Sequence, residues 1–151
     1  MQNVLRQLIG QQVILGTVAD EPNTPPLLFL VTIDDVNDFL VTVTDPNTNI
    51  TNVVAISAVT AVLFPPGPEI ELEPPVDFPG ECHCVERPMR ELLKTLITSN
   101  VNLRSRQGSF AQNVSIQRVG LGIAYGQLDI GGGNIVDIAL SICEIAQVEL
   151  P

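Results

Sequence analysis

Charge is what this 151-residue sequence has least of: 16% of its residues are Asp, Glu, Lys or Arg, against roughly 25% in an ordinary soluble domain. Basic residues are the scarcest. Seven Lys and Arg stand against 17 Asp and Glu, for a formal charge of −10, and no Lys or Arg lies between Arg6 and Arg87. Phosphate backbones are gripped by clustered Lys and Arg, so a nucleic-acid partner is not expected. Long apolar runs are missing too. Although 45% of the residues are apolar, there is no stretch of about 18 uncharged apolar residues of the kind that spans a bilayer, and no membrane span is expected. The opening MQNVLRQLIGQQ lacks the basic segment and continuous apolar core of a secretory signal, so any export is expected to use another route. No acid, base and nucleophile constellation is visible, and the chain does not read as an enzyme.

What is there is Val, Ile, Leu, Thr and Asn, a composition suited to strands and to surfaces buried against other subunits. It is also repeated. Residues 4–15, VLRQLIGQQVIL, align with residues 92–103, LLKTLITSNVNL, so that Leu5, Leu8, Ile9, Val13 and Leu15 match Leu93, Leu96, Ile97, Val101 and Leu103. A second block, VAISAVTAVLF at 54–64, aligns with LSICEIAQVEL at 140–150, pairing Val54, Ile56, Val59, Val62 and Phe64 with Leu140, Ile142, Ile145, Val148 and Leu150. Two blocks in the same order, with slightly different spacing between them, are what duplicated modules with unequal turns produce.

Each copy reads as a short helix followed by about five strands. The Leu5, Leu8, Ile9 stripe and its counterpart Leu93, Leu96, Ile97 have helical spacing, and Pro88 suits the first turn of the second helix. QQVILGTV, LLFLVTI, DFLVTVT and NVVAISAV alternate as strands with one buried face. Asp45-Pro46-Asn47-Thr48-Asn49 and Gly131-Gly132-Gly133-Asn134 are turns at equivalent places. The stretch 65–87 is proline-rich and acidic, and reads as an extended linker. The expected organisation is therefore a first module at 1–64, the linker at 65–87 and a second module at 88–151.

This order of elements, with its closing Ala55-Ile56-Ser57-Ala58-Val59 followed by Val62, resembles the Sm-like fold, and the closing segment resembles bacterial Hfq. The paired LIG-x-x-V-like opening and I-x-x-I closing segments are also similar to spore-coat protein B type modules. The resemblance implies a mainly β chain of two tandem Sm-like or SH3-like five-stranded barrels, each preceded by a short helix. It also implies assembly into homo-oligomers, since Sm-like members commonly form rings. The Hfq RNA site does not carry over: its Lys-His pair falls at Val53 and Val54 here, and at Ala139 and Leu140 in the second copy.

Chemistry is concentrated in Glu81-Cys82-His83-Cys84-Val85-Glu86. Three readings of it remain open. Cys82 and Cys84 are candidates for disulfides between subunits; they are incidental; or Cys82, His83 and Cys84 contribute to a zinc site, although the spacing is tighter than zinc sites favour. No other cofactor is expected. A catalytic thiol lacks an orienting third group. Cys143, aligned with Ser57, reads as a small core residue in the closing strand. Asp34, Asp35, Asn37 and Asp38 lack calcium-loop spacing and read as a polar turn. Glu69, Glu71 and Glu73, alternating with Ile70 and Leu72, suit either an acidic edge strand or arm laid on a neighbouring barrel, or solvated linker charge. Gly120, Gly122 and Gly126 mark bends or close approaches. The expected function is a structural, self-assembling protein forming rings, layers or fibres, such as a spore-coat, exosporium or appendage subunit, with itself and other coat proteins as partners. The alternative is a soluble ring-forming adaptor or ligand-binding module, with a cytoplasmic location in place of the spore surface.

Overall fold

The structure, a computed structural model, describes residues 1–21, 25–74, 83–106 and 110–150, with residues 83–85 and 110 described by their backbone alone. The chain is mainly β. A short helix α1 (Gln2–Gln7) leads into β1 (Gln12–Thr17), β2 (Leu28–Asn37), β3 (Leu40–Thr44), β4 (Thr51–Ala55) and β5 (Val59–Phe64). A second helix, α2 (His83–Thr95), leads into β6 (Asn100–Ser105), β7 (Phe110–Val119), β8 (Ile123–Asp129), β9 (Ile135–Ser141) and β10 (Ile145–Glu149). All ten strands belong to one open antiparallel sheet, in the order β10-β6-β7-β8-β9-β5-β1-β2-β3-β4. No helix among the described residues is long and apolar enough to cross a membrane.

Both halves of the sheet follow the same path, β5-β1-β2-β3-β4 in the first and β10-β6-β7-β8-β9 in the second. The agreement extends to single bonds. Ile56 N–H donates to Phe39 O at 2.8 Å and Ile142 N–H to Gly122 O at 2.9 Å; Gly10 N–H donates to Ile33 O and Thr98 N–H to Ile116 O, both at 2.8 Å. Register shifts recur between Val13 and Leu15 and between Val101 and Leu103, and again at Ile33/Asp35 and Ile116/Arg118. Such bulges bend a strand and sharpen its twist, which lets a ten-residue strand such as β2 or β7 wrap around a small core. The two halves accordingly hold separate cores. One gathers Leu5, Leu15, Ile33, Val43 and Val62; the other gathers Leu93, Leu103, Ile116, Ile138 and Ile142.

Several expectations need correction. NVVAISAV is not one strand: a 3-10 turn at Ile56–Ala58 divides β4 from β5, and Ile142–Glu144 does the same between β9 and β10. The apolar alternation runs through the turn because Ile56 and Ile142 still face the interior. Cys143 lies in that 3-10 turn, half-buried, and not in a closing strand. Ile9 and Ile97 lie beyond the helices and are exposed; Leu5, Leu8 and Leu93 are the buried members of the stripe. Helix α2 starts at His83, so Pro88 lies inside the helix and not in its first turn. Pro88 removes one backbone donor from a helix. In the same helix Glu86 pairs with buried Arg90 at 3.5 Å, one turn on, and accepts the Gly122 N–H at 2.9 Å. Asp34, Asp35 and Asn37 lie in strand β2 and not in a turn.

Candidate functional site

Strands β5 and β9 make the joint between the halves. They pair with Ala61 opposite Leu140, Val62 opposite Ala139, Leu63 opposite Ile138 and Phe64 opposite Asp137. Because successive side chains alternate between faces, β5 serves both cores. Val62 and Phe64 enter the first, while Ala61 and Leu63 pack against the second. In return Ile123, Tyr125 and Ala139, from the second half, complete the first core.

The rim of the joint is polar and fully partnered. The Arg118 guanidinium carbon stands 4.3 Å from the centroid of the Tyr125 ring, and its Nη1 donates to Ile70 O at 2.8 Å. The Tyr125 hydroxyl lies near the Asp137 carboxylate, which accepts from Gln127 Nε2 at 2.8 Å. Burial, reinforced by the Asp137 carboxylate and opposed by Arg118, pushes the Tyr125 phenol up to about 12. Tyr125 and Phe64 meet across the seam as a tilted ring pair with centroids 6.3 Å apart. Over this rim runs the acidic arm. Ile70 is buried in the first core and Leu72 packs against it, Glu71 N–H and O bond the Gln7 amide, and Glu73 O accepts the Leu121 N–H at 2.8 Å. The arm thus lies on its own chain, with no regular strand in residues 65–74.

Glycine permits two of these contacts. A Cβ at Gly126 would sit 2.4 Å from Ser115 O, so only glycine lets β8 approach β7 there. Gly122 has φ +67°, and its counterpart Phe39 holds φ +61°, a left-handed conformation rare for a bulky residue.

The outer edges of the sheet are β4 and β10. By position, β4 is the first half's version of β9 and β10 is the second half's version of β5. Residues covered at the joint have exposed apolar counterparts at these edges. Phe64 is 1% exposed and Leu150 57%; Ala139 is 0% exposed and Val53 62%; Ile123 is 4% exposed and Leu40 44%. Neither edge strand carries Lys, Arg or Pro, the residues that commonly block strand addition.

The cysteine cluster predicted to carry chemistry is only partly in view. Cys82 lies outside the described residues, and His83 and Cys84 enter by backbone alone, as the first residues of α2. Among the described residues, no group of three His, Cys, Asp or Glu side chains is placed to hold a metal ion. Sequence reasoning passed over Arg118, Tyr125 and Asp137. The signal for Asp137 was present: a lone acid inside the apolar run NIVDIALSI needs a partner once buried.

An apolar groove of about 330 Å³ opens beside the joint, with Leu63, Leu103, Ala111, Leu128 and Leu140 among its lining and Arg104 and Glu144 at its polar side. Comparison with protein-family models, curated proteins and solved structures finds no match to this chain.

Proposed function

We propose that this protein is a structural subunit that assembles with copies of itself, each half of its sheet being an Sm-like barrel derived by duplication. The observation that carries this reading is the pair of free edge strands. They are counterparts of the two strands that already join the halves, and they expose apolar side chains where the joint buries them. Recurrent bulges and a separate core in each half support the barrel reading. The likeness of the opening and closing segments to spore-coat protein B type modules favours a coat, exosporium or appendage subunit, in contact with itself and with other coat proteins. Cys82 and Cys84 fasten neighbouring subunits in this reading. Purified full-length chain imaged by negative stain, with and without reductant, should show rings, layers or fibres that loosen when reduced. A monodisperse monomer at high concentration would overturn it.

The groove beside the joint favours a second reading, a ring-forming adaptor that holds a small apolar ligand. Binding of a fluorescent apolar dye, lost on Leu63→Asp with the fold retained, would support that alternative.

A further inference from the structure

The joint between the halves joins two chemically distinct edges, a β5-type strand and a β9-type strand. The molecule ends in one free strand of each type. Strand β10 pairs with β6 as β5 pairs with β1, with Val148 opposite Leu103 and Val62 opposite Leu15, and both pairings carry a register shift near the start of the outer strand. Strand β4 pairs with β3 as β9 pairs with β8, with Val53 opposite Thr42 and Ala139 opposite Tyr125. Every ladder position of the internal joint therefore has a counterpart at the two ends of the sheet.

The cores point the same way. The first is completed by Ile123, Tyr125 and Ala139, which the second half lends it across the joint. The second core receives Ala61 and Leu63 from β5, but among the described residues nothing of the β8 or β9 type covers it beside β10. The residues that stand where Ile123 and Ala139 stand are Leu40 and Val53, exposed at the opposite end of the sheet. A second molecule placed head to tail brings its Leu40 and Val53 to the open side of this core, beside Val148 and Leu150.

We infer that β10 of one molecule pairs antiparallel with β4 of the next in the register of the internal joint, with Gln147 opposite Val54, Val148 opposite Val53, Glu149 opposite Asn52 and Leu150 opposite Thr51. The inference rests on the self-assembly reading and names its interface. The contact is heterologous, so it propagates from copy to copy. It closes into a ring or continues as a filament according to the rotation between copies. Its ladder is more polar than that of the internal joint, with Gln147, Glu149, Asn52 and Thr51 where the joint has Ala61, Leu63, Ile138 and Asp137. Asp35, Thr42 and Thr51 occupy the places of Arg118, Tyr125 and Asp137, so the buried tyrosine-carboxylate pair is absent.

Directly opposed residues of an antiparallel pair have Cα atoms about 4.5–5.5 Å apart, within disulfide reach, and residues displaced by two positions lie beyond it. The test uses the full chain with Cys82, Cys84 and Cys143 changed to Ser. One preparation carries Val53→Cys, at an exposed position, and another Val148→Cys, at a half-buried position on the margin of the second core. Oxidised together, the two should form a covalent dimer containing one chain of each kind, while each alone stays uncoupled. A single chain carrying both changes should give a ladder of covalent multimers, and Val148→Cys combined with Thr51→Cys should not. If sizing shows multimers but the off-register pair couples, or either single variant couples to itself, the inferred interface is wrong and self-assembly stands. If sizing shows only monomer, both fall.

Discussion

The joint and the free edges are built from equivalent strands and have opposite surroundings. At the joint, β8 and β9 are buried through most of their length; of their counterparts, β3 alternates between buried and half-buried or exposed residues and β4 has no buried residue. Strand β5 buries Val62 and Phe64 where β10 leaves Val148 half-exposed and Leu150 in solvent. Apolar burial is worth about 25 cal/mol per Å² removed from water, so the edges hold unrealised stability that a neighbour with the right strand would capture. Polar residues show where the two surfaces diverge: Asp137 and Tyr125 stand at the internal joint, and the edge has Thr51 and Thr42 instead.

That contrast can be broken most severely at Phe64. Phe64→Ala should cost about 3–5 kcal/mol, as emptying an aromatic site in a packed core does, read by urea unfolding. Leu150→Ala, the same truncation at the edge, should change protomer stability by no more than about 0.5 kcal/mol while raising the concentration needed for assembly. Equal losses of protomer stability from the two changes would deny the contrast.

A smaller effect is expected from the polar pair. Asp137→Ala leaves the Gln127 amide without its acceptor and removes the carboxylate beside the Tyr125 hydroxyl, and should cost about 1–3 kcal/mol; Thr51→Ala at the edge should cost little. The smallest is a pH effect. The Tyr125 phenol is raised in the folded chain above its ordinary value of 10.0, to about 12, so the unfolded chain gives up this proton first. The contribution is therefore complete below pH 10 and is lost as pH rises toward 12. Denaturation midpoints should fall over that window, and Tyr125→Phe should flatten the Tyr125 part of the decline. A decline of the same size in that variant would show that Tyr125 is not its source.

The repeat was legible because it lies in apolar spacing: Leu5, Leu8, Val13 and Leu15 against Leu93, Leu96, Val101 and Leu103 keep the same order and, in most cases, the same burial. Strand alternation was legible for the same local reason. The 3-10 turns were not, since a buried Ile56 or Ile142 preserves the strand pattern through a change of direction. Nor was the start of α2 at His83, upstream of Pro88, or the contact of Glu86 with Gly122, 36 residues away in the chain. The joint itself was beyond local reading. Pairing β5 with β9 is a contact between distant segments, and its trace in the sequence was confined to two charges, Arg118 and Asp137, set among apolar strand residues.

The central claim is that the free edges of the sheet are a second use of the surfaces that form the joint. Sedimentation of the unmodified chain over a wide concentration range, beside Val53→Lys, tests it most directly. The account predicts multimers that grow with concentration for the unmodified chain, and for Val53→Lys a monomer with unchanged unfolding, because a lysine on β4 blocks strand addition. An unmodified chain that stays monomeric, or a lysine variant that assembles equally well, would contradict it.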